Sequence, residues 1–185
     1  MTDRRTVIAD AAIATIAREG MRGFTHRAVD RAAGLAEGST SYYFRTRESL
    51  MFAALARMAE LDTLDVGDVV EQGGTADLET LTDMMTAILL AWLTTGRERT
   101  LARYELTLES TRRPELREKM LEYGTMFRLM TEKTLAAAGA SEPERRSRTV
   151  MACVDGLVVH QLTRVGAGEA DLRAACRDLL VMALA

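Results

Sequence analysis

The chain has 185 residues, 48% of them apolar and 28% charged, enough to bury a core without disulfides or a metal and too aliphatic for a disordered segment. No run of eighteen apolar residues occurs, which argues against a membrane span, and the opening MTDRRTVIAD lacks the apolar stretch of a secretory signal, so a cytoplasmic protein is expected. The net charge of −3 argues against nucleic acid when taken whole, but residues 1–47 hold eight arginines against five acids while the remainder is acidic; a basic head on an acidic body needs an explanation.

Period-two alternation is absent over any useful length, and helical spacing runs almost everywhere. The pattern predicts an all-α chain of about nine helices. The first spans roughly Arg5 to Glu19, with Ile8, Ala11, Ala12, Thr15 and Ile16 on one face and Gly20 as its stop. Thr25 reads as the N-cap of a short second helix ending at Gly34. A third follows from about Glu37 to Tyr43, and Thr46 caps a fourth bearing Leu50, Ala54 and Met58. The glycine-rich segment 65–77 is the candidate boundary between a small head and a larger body. Thr75 is expected to cap a helix through Leu78, Leu81, Leu89 and Trp92 that ends at Gly96. A helix with Leu101 and Leu108 comes next, and then one opened by Pro114 and closed at Gly139. Ser141 and Glu144 have capping-box spacing before the eighth helix, and a last helix carries Leu172, Cys176 and Leu179. Cys153 and Cys176 read as buried small hydrophobes.

The chemistry concentrates in residues 25–50, THRAVDRAAGLAEGSTSYYFRTRESL. Two short helices around a glycine-containing turn form the helix-turn-helix pattern. The second helix would expose Glu37, Ser39, Thr40, Ser41 and Tyr42. Small hydroxyls suit a helix that must approach base edges closely. Tyr43, Arg45 and Arg47 follow as donors for phosphate oxygens, and Arg27 joins this DNA-facing set. The competing reading is an ordinary surface turn that happens to be rich in hydroxyls.

Gly38, Tyr43, Phe44, Arg47, Glu48 and Leu50, in this order and spacing, resemble the recognition-helix motif of the TetR family of transcriptional regulators. The likeness is close over about residues 5–55; beyond it, only the all-helical body and Asp155-Gly156-Leu157 in the penultimate helix are similar. The resemblance implies a DNA-binding head over residues 1–48 and an effector-binding and dimerisation body over 49–185. It implies phosphate contacts from Thr25 and Tyr43, with Arg47 where the family has a lysine, and a core position for Phe44. Asp30 departs from the small residue usual there, and Thr40 and Ser41 replace a Leu-Tyr pair. For Asp30 the options are facing solvent, pairing with a nearby arginine, or weakening the head.

The body has two expected tasks. One is a two-fold homodimer interface on the last two helices, through Val154, Leu157, Val158, Gln161, Leu172, Ala175 and Leu179, with Gly156 and Ala174 permitting close approach; central core is the alternative for these residues. The resemblance further implies a pocket for a small, largely apolar effector, for which Met85, Trp92, Tyr104, Met126, Phe127 and Met130 are the candidates, although methionine at helical spacing is more often plain core. Together these imply a repressor that binds a palindromic double-stranded operator and is released by its effector, with no cofactor and no metal. Enzyme classes find little support. No Gly-Lys P-loop is present, Gly166 and Gly168 lack the third glycine of a dinucleotide motif, and neither His26 nor His160 sits in a Glu-x-x-His pair. A helical protein-interaction module without DNA binding is the remaining alternative.

Overall fold

The apolar spacing is realised as helix. The computed structural model describes residues 3–72, 77–163 and 168–185, and among them nine helices and no strand. In chain order these are α1 (Arg4–Gly23), α2 (His26–Ala32), α3 (Ser39–Tyr43), α4 (Arg47–Gln72), α5 (Leu78–Leu93), α6 (Arg97–Ser110), α7 (Pro114–Ala137), α8 (Pro143–Thr163) and α9 (Glu169–Leu184). No helix among the described residues is long and apolar enough to cross a membrane.

Several helix ends fall where side-chain chemistry places them. Thr25 Oγ1 accepts the Ala28 N–H at 3.2 Å, and Thr46 Oγ1 accepts the Ser49 N–H at 3.0 Å, so each satisfies an orphan donor of a first turn. Pro114 opens α7, where its missing N–H costs nothing. Gly20 interrupts α1 with a φ of 64°, but helical bonding resumes and carries the element to Gly23.

Other ends differ from expectation. The glycine-rich segment does not break the chain at 65, because α4 runs through Gly67 to Gln72. One glycine costs about 1 kcal/mol in a helix, which a 26-residue element tolerates. The proposed cap Thr75 lies outside the described residues; Asp77 caps α5, its Oδ1 accepting from Thr80 N–H at 2.8 Å. Gly96 is the N-cap of α6, while α5 already closes at Thr94. The capping box at Ser141 does not form. Glu142 adopts a φ of 50°, α8 begins at Pro143, and Ser141 Oγ accepts from Arg146 Nη2 at 2.8 Å instead.

The helices assemble into two compact units, Met1–Leu64 with Thr95–Glu122, and Asp65–Thr94 with Tyr123–Ala185. In the first, α1 packs against α6 and α2, and α2 against α3. Its core includes Ile8, Ile16, Phe24, Val29, Leu50, Met58 and Leu106, all fully buried, each removing roughly 1.5–3 kcal/mol of apolar exposure. Arg99 and Asp62 form an almost fully buried ion pair at 2.5 Å there. In the second unit α5 packs against α9 and α8, and α8 against α9, around Leu89, Leu135, Val150, Val158 and Leu172. Arg173 ties α9 to Glu79 and Asp83 of α5 at 2.9 and 2.8 Å. Cys176 is buried in this core, where desolvation pushes its thiol pKa up against a hydrogen bond with Thr86 that lowers it. Cys153, by contrast, is exposed and is not the buried hydrophobe expected.

Candidate nucleic-acid interface and effector cavity

The turn between α2 and α3 needs glycine for its backbone. Gly34 and Gly38 take φ values of 64° and 94°, and no atom lies within 4 Å of where a Cβ would stand. Conformation, not crowding, excludes a side chain there. Gly38 is also the N-cap of α3 and has no side-chain oxygen to offer.

Asp30, reaching over from α2, supplies the missing acceptor. It is 2% exposed. Its Oδ2 accepts the Gly38 N–H at 2.8 Å, and its Oδ1 accepts the Thr40 N–H at 2.7 Å and the Thr40 hydroxyl at 2.6 Å. Burial pushes the Asp30 pKa up, but the bonds from Thr40 and Gly38, with His26 nearby, outweigh it and hold the carboxyl below its ordinary value. Asp30 therefore neither faces solvent nor pairs with an arginine. Two positions that depart from the resemblance, Asp30 and Thr40, are bonded to each other.

Thr40 must accordingly be withdrawn from the residues that could read DNA. It is 0% exposed, and its hydroxyl proton is given to Asp30. Apart from Arg47, the remaining predicted residues fall on or near the outer face. Tyr42 is 80% exposed, Thr25, Arg27, Glu37, Ser41 and Arg45 are exposed, and Ser39 and Tyr43 are half-buried. The Tyr42 and Tyr43 rings meet edge to face at 5.1 Å. Arg27 and Glu37 pair at 2.6 Å with both side chains largely in solvent, a pairing weak enough for a phosphate to displace.

Arg47 has a different position from the one expected. Its Nε donates to the Phe24 carbonyl at 2.8 Å and its Nη2 to the Met21 carbonyl. The guanidinium also lies 5.6 Å from the centre of the Phe24 ring. It closes the end of α1 rather than reaching outward to phosphate, a use of the forked donor that a motif position does not disclose. Phe44 is buried as expected, under the Arg5 guanidinium. His26 Nε2–H donates to the Phe44 carbonyl at 2.7 Å. That clamp between α2 and the end of α3 went unread in the sequence, because the partners are eighteen positions apart.

The second unit holds a partly open, apolar cavity of about 140 Å³. Met85, Trp92, Phe127 and Met130 line it as predicted, joined by Met84, Leu89, Thr131, Thr134, Met151 and others. Trp92 and Phe127 meet edge to face at 6.4 Å. Tyr104 and Met126 do not line it. Tyr104 lies on α6, in the other unit, and Met126 is one helical step from Phe127, about 100° around α7.

Most of the expected dimer residues also point elsewhere. Val154, Val158, Leu172 and Leu179 are 6%, 0%, 2% and 5% exposed within their own chain, and Val154 lines the cavity. Leu157, Gln161 and Ala175 are half-buried. The outward faces carry Ala152, Cys153, Asp155, Gly156, Val159 and His160 on α8, and Ala174, Arg177, Asp178, Val181 and Met182 on α9.

Residues 8–54 match the family model for bacterial regulatory proteins of the tetR family, and residues 76–185 match that for the tetracyclin repressor-like C-terminal domain. The chain belongs to the TetR family. A transcriptional regulator from Rhodococcus sp. Rha1 superposes with a TM-score of 0.82 over 98% of this chain and 96% of its own, at 21% identity, a likeness of fold. A TetR-family member from Streptomyces coelicolor A3 is 30% identical, with a TM-score of 0.72 over 96% of this chain and 98% of its own. The multidrug binding protein EbrR, complexed with ethidium, is likewise 30% identical, with a TM-score of 0.70 and the same coverage of both chains. No curated protein sequence matches the chain. This TetR-family chain is a transcriptional regulator with a DNA-binding helix-turn-helix, in a family of regulators rather than enzymes.

Proposed function

We propose that this TetR-family regulator is a repressor that binds a palindromic operator as a homodimer and leaves it when a small, largely apolar effector enters the cavity of the second unit. In this reading residues 1–48 hold the DNA, and residues 49–185 serve the effector and the dimer. The carrying observation is the outer face of α3, where Ser41 and Tyr42 stand in solvent while Asp30 and Thr40 hold the helix from inside. A recognition helix needs this division between a rigid inner face and donors on the outer one. Thr25, Arg27, Tyr43 and Arg45 flank it as phosphate donors, and Glu37 and Ser39 border it.

A single short helix reads few bases, so two copies are needed for a site of useful length. The outward faces of α8 and α9, where Gly156, Val159, Val181 and Met182 stand among exposed charged residues such as Asp155, Arg177 and Asp178, offer a surface for the second copy. The apolar effector is supported by the cavity; EbrR, crystallised with ethidium, malachite green and proflavin, supports the binding of a small molecule but not its chemistry. Helix α4 carries both Arg47, bonded to the end of α1, and Val66, which lines the cavity, and so provides a path by which occupancy can bias the head.

Gel-shift titration on an operator selected from random DNA tests the assignment. Tyr42→Ala is expected to weaken binding about tenfold, as loss of one good contact does, with helicity and oligomeric state unchanged. Affinity equal to the wild type for both Tyr42→Ala and Ser41→Ala would remove α3 from the interface.

A further inference from the structure

Building on the effector reading, we infer that the cavity selects an uncharged molecule of a single ring and rejects ions of either sign. None of the described residues that line it bears a formal charge. The nearby acids of α5 and α7 are engaged by arginines: Glu79 and Asp83 by Arg173, and Glu132 by Arg128. An ion entering the cavity would lose its hydration and meet no counter-charge among the described lining residues, a large penalty.

The hydroxyls in the wall do not change this. Thr131 and Thr134 donate to the Phe127 and Met130 carbonyls, each at 3.0 Å, so their protons are already used. An anion finds no donor in them. A cation could lie against Trp92, but attraction to a ring face offsets only part of the desolvation that a buried ion suffers.

Size sets the second limit. A cavity of about 140 Å³ is close to the roughly 150 Å³ hydrocarbon-lined cavity that stays dry and takes up benzene. Fused polycyclic cations exceed it in volume as well as polarity. Its wall is aromatic and thioether: Trp92 and Phe127 stand edge to face at 6.4 Å, and Met84, Met85, Met130 and Met151 line it beside them. Thioethers are polarizable and pack well on aromatic edges.

Three probes that share a ring and differ in charge test this on the purified full chain: toluene, benzylammonium and benzoate. Trp92 is the only tryptophan, so its emission reports the cavity, and calorimetry gives the affinities. Toluene is expected to shift that emission saturably, with both ions at least about a hundredfold weaker, as an unpaired buried charge demands. Benzylammonium or benzoate binding within about threefold of toluene would overturn the inference, and so would the lack of any saturable response to toluene. Met85→Glu should raise the relative affinity for benzylammonium; the wild-type comparison decides the matter if that variant does not fold. Gel shifts with the same probes separate the two readings. Toluene that occupies the cavity without releasing the operator defeats the effector reading and upholds this inference. Benzylammonium that releases the operator by occupying the cavity does the reverse.

Discussion

Asp30 is buried as a carboxylate with three hydrogen bonds converging on its two oxygens. Removing it strands the Gly38 and Thr40 N–H groups at the start of a helix whose N-cap has no side chain. Asp30→Ala is expected to cost about 2–3 kcal/mol, the penalty for buried donors left without an acceptor, and to lower operator affinity as α3 loosens. Asp30→Asn keeps the shape but turns an NH₂ toward at least one donor, and should cost nearly as much. The pH dependence has a definite sign. A carboxyl held below its unfolded value, 3.8, stabilises the fold fully above that pH, and the contribution is lost as pH falls below it through the lower folded value. Urea melts of the wild type and Asp30→Asn between neutral pH and about pH 3 should therefore converge on acidification. A stability gap unchanged over that range would show that the carboxylate charge is not what holds α3.

At the scale of elements, α8 and α9 separate what periodicity can and cannot reveal. Each helix is apolar on more than one face, so spacing alone cannot distinguish the side turned to its own core from the side left outward. That is why Val154, Val158, Leu172 and Leu179, expected at the dimer surface, are core. The five-residue α3 presents the same difficulty in miniature: it is too short for a pattern, and the bond that turns Thr40 inward comes from ten positions away. What local chemistry governs was legible in the sequence: the caps at Thr25 and Thr46, Pro114 at the head of α7, and four of the cavity residues on α5 and α7. The corrected faces make a discriminating prediction. Val181→Asp, on the outward face of α9, should convert the proposed dimer to monomer in light scattering, because it adds a charge where the second copy would exclude water. Val158→Ala, inside the core, should lower stability by about 2 kcal/mol and leave the oligomer intact. The opposite pattern of effects would restore the interface first read from the sequence.

For the molecule as a whole, charge distribution matters more than net charge. The chain is −3 overall, yet Arg5, Arg27, Arg31 and Arg45 are exposed in the head, where they can release counterions from DNA. The acidic remainder repels the duplex and so favours approach head first. If each head engages about three phosphates, a dimer engages about six, and the logarithm of affinity should fall with the logarithm of salt at a slope near −5. Between about 50 and 200 mM salt this amounts to roughly a thousandfold loss. The same measurement counts heads. A single head would give about half that slope, since the slope scales with the number of phosphates neutralised. Arg45→Ala sharpens the count: it should reduce the slope by about two when two copies bind together, and by about one when a single copy binds. A slope unaffected by Arg45→Ala would show that the exposed arginine after α3 does not face the phosphate backbone.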